Sequence, residues 1–233
     1  MLDPKHTPLD IKAVIFDYGQ VLCLEPTPEA VEQMSGFFHL TPDQFRPLYD
    51  SSRLAYDRGD FTPTAYWFWL AEQAGVVLAP AQIEALRKRD IEMWSRFNQP
   101  MIEWMAALQS RGLKTAILSN MPAEMAAHVR RHFAWMAHIS CPIFSSELRL
   151  VKPDPAIYQH CLECLEVAPV QALFIDDREV NVEGAKKLGI HALRFDSVTQ
   201  LHSDLKALDF TPLPELEDSD ALTEIPAGQS ARD

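Results

Sequence analysis

Three apolar runs in the chain each stop on polar side chains that can do chemistry. AVIF stops on Asp17, TAIL on Ser119-Asn120 and ALFI on Asp176-Asp177. In an open parallel sheet, ligands sit beyond the carboxyl ends of the strands, so neighbouring strands would bring these side chains to one crevice. Up to three carboxylates would then share a small space, and like charges that close do not all stay ionised without a cation. A hard divalent ion with oxygen ligands relieves the repulsion, and Mg²⁺ is the usual one where phosphate oxygens share the site. Two residues after Asp17 stands Gly19, whose carbonyl can turn toward such a metal. Ser119 and Asn120, with the N–H groups that open the next helix, make a cradle for an anion. Lys152, just before a helix opening with Pro153, brings a cation within reach of the same crevice.

The elements that must position these residues alternate. IKAVIFD (11–17) is a short run rich in β-branched residues and predicts a strand. From about Pro28 to Phe97 the periods are helical: PEAVEQMSGFF, TPDQFRPLYD, TPTAYWFWLAEQAG and APAQIEALRKRD each carry Pro near the start, where a first helical turn accepts it. Thr41 and Thr62 are the expected N-caps. After Pro100, helix and strand alternate. PMIEWMAALQSRG, PAEMAAHVRRHF, PDPAIYQHCLECL and VNVEGAKKLG predict helices; LKTAILS, HISCPIF, QALFIDD and IHALRF predict strands. Right-handed βαβ units and a parallel sheet covered on both faces follow. The expected fold is a three-layer, Rossmann-like α/β core, residues 1–25 and 100–208, with an all-helical subdomain, residues 26–99, inserted after the first strand. Residues 209–233, with seven acids, one arginine and three prolines, are expected to be a mobile tail.

Bulk composition narrows the partners. The chain has 233 residues and a net charge of −12, from 21 basic and 33 acidic side chains, so nucleic acid is repelled overall. An anionic substrate then needs positive charge concentrated locally. No apolar run is long enough to span a bilayer, and the amino terminus lacks the pattern of a signal peptide. The four cysteines (Cys23, Cys141, Cys161, Cys164) form no dense framework and are expected to be reduced thiols of a cytoplasmic protein. AYWFWL (65–70) puts four aromatics on one helix. Most should pack in the helical subdomain, and one or two remain candidates for a substrate wall or a partner surface. Arg53 is a candidate for substrate contact, although a lone arginine is expected to be solvated.

The set Asp17, Ser119, Lys152 and Asp176-Asp177 resembles the haloacid dehalogenase-like hydrolase superfamily with a helical cap between its first two motifs. FDYGQVL, ILSN, VKPDPAIY and FIDDREVNVEGAKKLGI resemble its four motifs in order, from about Ile11 to Phe195. The D-x-G opening and the DD-x-x-x-N run at Asp176, Asp177 and Asn181 are most similar to glucose-1-phosphate phosphatases and the phosphatase domain of soluble epoxide hydrolase. The resemblance implies that Asp17 is a nucleophile forming an aspartyl-phosphate, and that Asp17, the Gly19 carbonyl and Asp177 hold Mg²⁺. It also implies that Asp176 and Asn181 stand behind the metal ligands, and that Ser119, Asn120 and Lys152 bind the phosphoryl oxygens. The substrate it implies is a small phosphorylated metabolite such as a sugar phosphate, and the protein a monomer or homodimer.

Most phosphatases of this superfamily carry a second aspartate where this chain has Gly19. General acid–base help is worth roughly 10²–10⁴ in rate. Either a cap residue replaces the acid, with Glu25, Asp57 and Arg58 in suitable segments, or the substrate has a leaving group that needs little protonation, as anomeric sugar phosphates do. The missing acid also suits a 2-haloacid dehalogenase, although twin aspartates at the fourth motif do not. A catalytically idle binding protein is the third reading.

Overall fold

The structure, a computed structural model, describes residues 10–208. The expected tail at 209–233 lies outside the described residues. Five strands form one parallel sheet: β1 (Ala13–Phe16), β2 (Lys114–Ser119), β3 (Cys141–Phe144), β4 (Ala172–Asp176) and β5 (His191–Arg194), in the order β3-β2-β1-β4-β5. All four residues of β1 are buried, as a central parallel strand requires. Alternate residues face opposite sides. Val14 and Phe16 pack toward α5 (Gln99–Ser110), α6 (Ala123–His132) and α10 (Val198–Ala207); Ala13 and Ile15 pack toward α8 (Pro155–Leu165) and α9 (Glu179–Lys186). The three-layer α/β core expected from the alternation is therefore present. The sequence reading missed α10, which buries Leu201 and Leu205 and is capped by Ser197.

Between β1 and α5 the chain forms four helices: α1 (Pro28–Gly36), α2 (Pro42–Asp57), α3 (Pro63–Gln73) and α4 (Pro80–Met93). Thr41 and Thr62 cap α2 and α3 through their side chains, and Thr27 does the same for α1. These helices share a core of their own that includes Phe38, Phe45, Tyr56, Tyr66, Trp67 and Leu86. The AYWFWL run packs mainly inward here: Tyr66 and Trp67 are buried, and Phe68 points out. The strands of chain entering and leaving this insert pair with each other, with Leu24 N–H donating to Arg96 O at 2.7 Å and Asn98 N–H to Leu22 O at 3.0 Å. The sequence pattern ended the second helix at Asp50. In the structure α2 runs on to Asp57, through Pro47, and so places Arg53 and Asp57 one turn apart.

The cysteine expectation needs correction. Cys141, opening β3, and Cys164, near the end of α8, form a disulfide, and Cys23 and Cys161 are the buried free thiols. Packing of α8 on β3 brings the paired Cα atoms to 6.0 Å, a distance a disulfide spans; a separation of 23 residues along the chain gives no hint of it. Among the described residues no helix is long and apolar enough to cross a membrane.

Candidate active site

Strand order reverses direction at β1. The chain moves from β1 to β2 and β3 on one side, then returns to β4 and β5 on the other. Crevices in such sheets open at this switch point. Phe16 pairs with Ile175 of β4, so the next residues, Asp17 and Asp176, end their strands side by side.

Asp17 caps a wide turn, Tyr18–Leu22, and its Oδ1 accepts the Tyr18 N–H at 2.6 Å. Lys152 Nζ lies 2.9 Å from the same oxygen and 2.6 Å from Asp176 Oδ2, with its side chain wholly buried. Asn120 holds the lysine in place through its own side chain: Oδ1 accepts Lys152 N–H at 2.8 Å and Nδ2 donates to Lys152 O at 3.0 Å. The Lys152–Pro153 bond is cis. Asp176 Oδ1 accepts from Arg178 N–H and Asn181 Nδ2, both at 2.9 Å. Its oxygens thus fix Lys152, Asn181 and the Arg178 backbone. Gln20 Nε2 donates to Asp177 Oδ2 at 3.0 Å.

The electrostatics follow from crowding. Burial pushes the Asp17 carboxyl up to about 7; Lys152 opposes the shift, and Asp176 and Asp177 add to it. Asp177 is pushed up to about 6 by burial and by Asp176, against Lys152 and Arg178. Burial pulls Lys152 down, but Asp17 and Asp176 outweigh it and hold the amine above its ordinary range. One buried cation does not satisfy three carboxylates. Asp17, Asp176 and Asp177 each offer an oxygen, all within 4.8 Å of one another. An oxygen-only, underneutralised cluster suits a hard divalent cation such as Mg²⁺.

A cavity of about 370 Å³ opens over this cluster. All the predicted site residues line it except Asp176, which lies fully buried behind: Asp17, Gly19, Ser119, Asn120, Lys152, Asp177 and Asn181. The opposite wall comes from the helical insert: Tyr49, Arg53, Asp57, Asp90 and Trp94. These form one network. Arg53 Nη1 lies 3.0 Å from Asp90 Oδ2 and Nη2 lies 3.1 Å from Asp57 Oδ1. Tyr49 Oη donates to Asp90 Oδ1 at 2.5 Å and accepts from Trp94 Nε1 at 3.1 Å. Arg53 is therefore no solvated surface residue; its largely covered guanidinium lines the cavity and balances two acids. Burial pushes the Asp57 carboxyl up to about 7; Arg53 opposes this and Asp90 assists it.

Of the three cap residues proposed to replace the missing acid, only Asp57 lines the cavity. Glu25 pairs with Arg46 and Arg58 with Asp60, both at the exposed surface. The aromatic wall comes from Tyr18, Tyr49 and Trp94, and no residue of AYWFWL contributes to it. A Cβ built on Gly19 would meet Trp94 Cζ3 at 3.8 Å, an ordinary contact, so an indole flanks the position where a second acid would extend. Tyr49, Asp90 and Trp94 escaped the sequence reading. The one available signal was the Arg53–Asp57 spacing, an i, i+4 pair once α2 is carried through Tyr56.

A family model described as haloacid dehalogenase-like hydrolase matches residues 11–189. Among curated relatives, bifunctional epoxide hydrolase 2 of Rattus norvegicus is 27% identical over 51% of this chain and 22% of its own length. The (S)-2-haloacid dehalogenase 1 of a Pseudomonas species is 27% identical over 52% of this chain and 51% of its own. The sesquiterpene phosphatase astK of Aspergillus oryzae is 26% identical over 84% of this chain and 96% of its own. The chain thus spans about a fifth of the epoxide hydrolase and half of the dehalogenase. A HAD family enzyme from Bacteroides thetaiotaomicron shares the fold, with a TM-score of 0.68 at 21% identity over 82% of this chain and 98% of that one; another structure of it contains magnesium and inorganic phosphate.

Proposed function

Because the chain belongs to the haloacid dehalogenase-like hydrolase family, we propose that it is a Mg²⁺-dependent phosphatase of a small phosphorylated metabolite. The observation that carries this reading is the Lys152 bridge between Asp17 and Asp176 beside a third carboxylate, Asp177. Asp17, at the strand end, is the nucleophile: a carboxylate oxygen attacks phosphorus and forms an aspartyl-phosphate, which water then hydrolyses. Asp17, Asp177 and the Gly19 carbonyl would hold Mg²⁺, which would supply Lewis-acid charge at the phosphoryl oxygens. Lys152 keeps its proton and so keeps a full positive charge against the phosphoryl group as negative charge shifts during transfer. Ser119 and the Asn120 backbone cradle the same oxygens, since the Asn120 side chain is already committed to Lys152. Asp176 and Asn181 stand behind and hold the lysine and the strand end in register. Helices α1–α4, within residues 26–99, act as a cap whose Tyr49 and Trp94 face the leaving group, over a core of residues 1–25 and 100–208.

A screen of phosphorylated metabolites with Mg²⁺ and with EDTA tests the reading. Phosphate release is expected only with the metal, and Asp17→Asn is expected to lower kcat by roughly 10⁴-fold or more. An asparagine variant as fast as the wild type ends the proposal. The glycine at position 19 favours a second reading, a dehalogenase acting on carbon. Chloride release from a 2-chloroacid in EDTA would support it; the acid cluster predicts none.

A further inference from the structure

With Gly19 in place of an acid, nothing two residues beyond Asp17 can protonate a departing oxygen. The cap wall of the same cavity carries three carboxyl groups, those of Asp50, Asp57 and Asp90. Asp90 is occupied by Tyr49 and by both contacts from Arg53. Asp50 is exposed. Asp57 is buried, and its Oδ1, 3.1 Å from Arg53 Nη2, has no well-directed hydrogen bond.

Asp57 belongs to the insert but is docked on the core. Ser145 Oγ donates to Asp57 O and accepts Met121 N–H at 2.9 Å, so one hydroxyl joins the end of α2 to the residue after Asn120. Next to it, Gly59 has φ +82° and comes so near the core that a Cβ would lie 3.2 Å from Ser146 O. Arg149 then holds Gly59 O and Asp60. The turn that follows Asp57 is thereby pinned beside the phosphate cradle. The charges facing its carboxyl come from three elements: Arg53 on α2, Asp90 on α4 and Arg178 ahead of α9.

We propose that Asp57 is the general acid–base that replaces the missing second aspartate. This rests on the phosphatase reading above. As Asp17 oxygen bonds to phosphorus and the P–O bond to the leaving group breaks, the Asp57 carboxylic acid gives its proton to the leaving oxygen. Water then bonds to phosphorus, the bond from phosphorus to Asp17 oxygen breaks, and the Asp57 carboxylate takes the proton that water loses. Phosphate departs and the acid is restored. Arg53, anchored by Asp90, holds the carboxylate in its ionised interval.

The test compares two esters on the full chain with Mg²⁺: p-nitrophenyl phosphate, whose leaving group needs no proton, and glycerol phosphate, whose alkoxide does. Asp57→Asn is expected to lose about 10²–10⁴ in kcat/KM on glycerol phosphate and under about tenfold on p-nitrophenyl phosphate. Asp57→Glu should restore much of the glycerol phosphate rate relative to the nitrophenyl ester. In Asp57→Asn an unchanged ratio between the two esters overturns the proposal, whether through equal losses or none, and so does an Asp57→Glu ratio no nearer the wild type than that of Asp57→Asn. Wild-type protein that hydrolyses neither ester overturns the phosphatase reading itself, before any variant is made.

Discussion

At the scale of single residues, the site is a problem in buried charge. Among the described residues Lys152 alone links Asp17 and Asp176, and it is itself wholly buried, so each partner makes the others tolerable. Asp57 has no such full compensation, and its pKa of about 7 has a consequence for stability. An unfolded aspartate titrates near 3.9. Between the two values the folded chain holds a proton that the unfolded chain has released. Stability from this group is therefore complete at acid pH and is lost as pH rises through 7. Wild type should lose about 2–3 kcal/mol relative to Asp57→Asn between pH 5 and pH 8, measured by urea denaturation in EDTA. A difference that does not change with pH would show that the carboxyl titrates normally. Asp17, Ser119 and the twin aspartates were legible as residues because they end apolar runs, and Lys152 because it stands just before a proline-led helix. Tyr49, Asp90 and Trp94 were not, since a polar or aromatic residue within a helix looks the same whether it faces solvent, a core or a cavity.

At the scale of elements, the lysine depends on how closely α9 approaches the loop that carries it. A Cβ at Gly184 would fall 3.0 Å from Pro153 Cβ and 3.1 Å from Tyr158 Oη, and Tyr158 Oη in turn donates to Asn181 O. Gly184 thus lets α9 seat Asn181 against Asp176. Gly184→Ala is expected to cost about 1–3 kcal/mol, read by urea denaturation, because neither the proline ring nor the hydrogen-bonded phenol can yield freely. An alanine variant as stable as the wild type would mean that this contact relaxes without cost. Most elements were legible from their periods: the proline-led helices, the threonine caps and four buried strands answer to local rules. The extension of α2 to Asp57 was not, because a serine pair after Asp50 looks like a break when tertiary packing is unknown. Helix α10 was missed for a similar reason, its apolar spacing at Leu201 and Leu205 being too sparse to read before the sheet that covers it is known.

At the scale of the whole molecule, the insert and the core have separate apolar clusters, joined by a neck whose two strands pair at Leu24 and Arg96. Replacing residues 26–95 with a short Gly-Ser linker should leave a core that still melts cooperatively by circular dichroism. A core with no melting transition would show that the two parts fold as one unit. The linear chain alone determined the α/β alternation, the place of the helical insert and the acids at the strand ends, because those depend on apolar period and on turn chemistry between near neighbours. Tertiary structure alone decided the Cys141–Cys164 pairing and the placing of Arg53 between two acids. It also decided that Asp57, rather than Glu25 or Arg58, stands over the site. The physical reason is distance along the chain: these contacts join residues 23 to 88 positions apart or hinge on which face of a helix meets a cavity, and no local pattern encodes either.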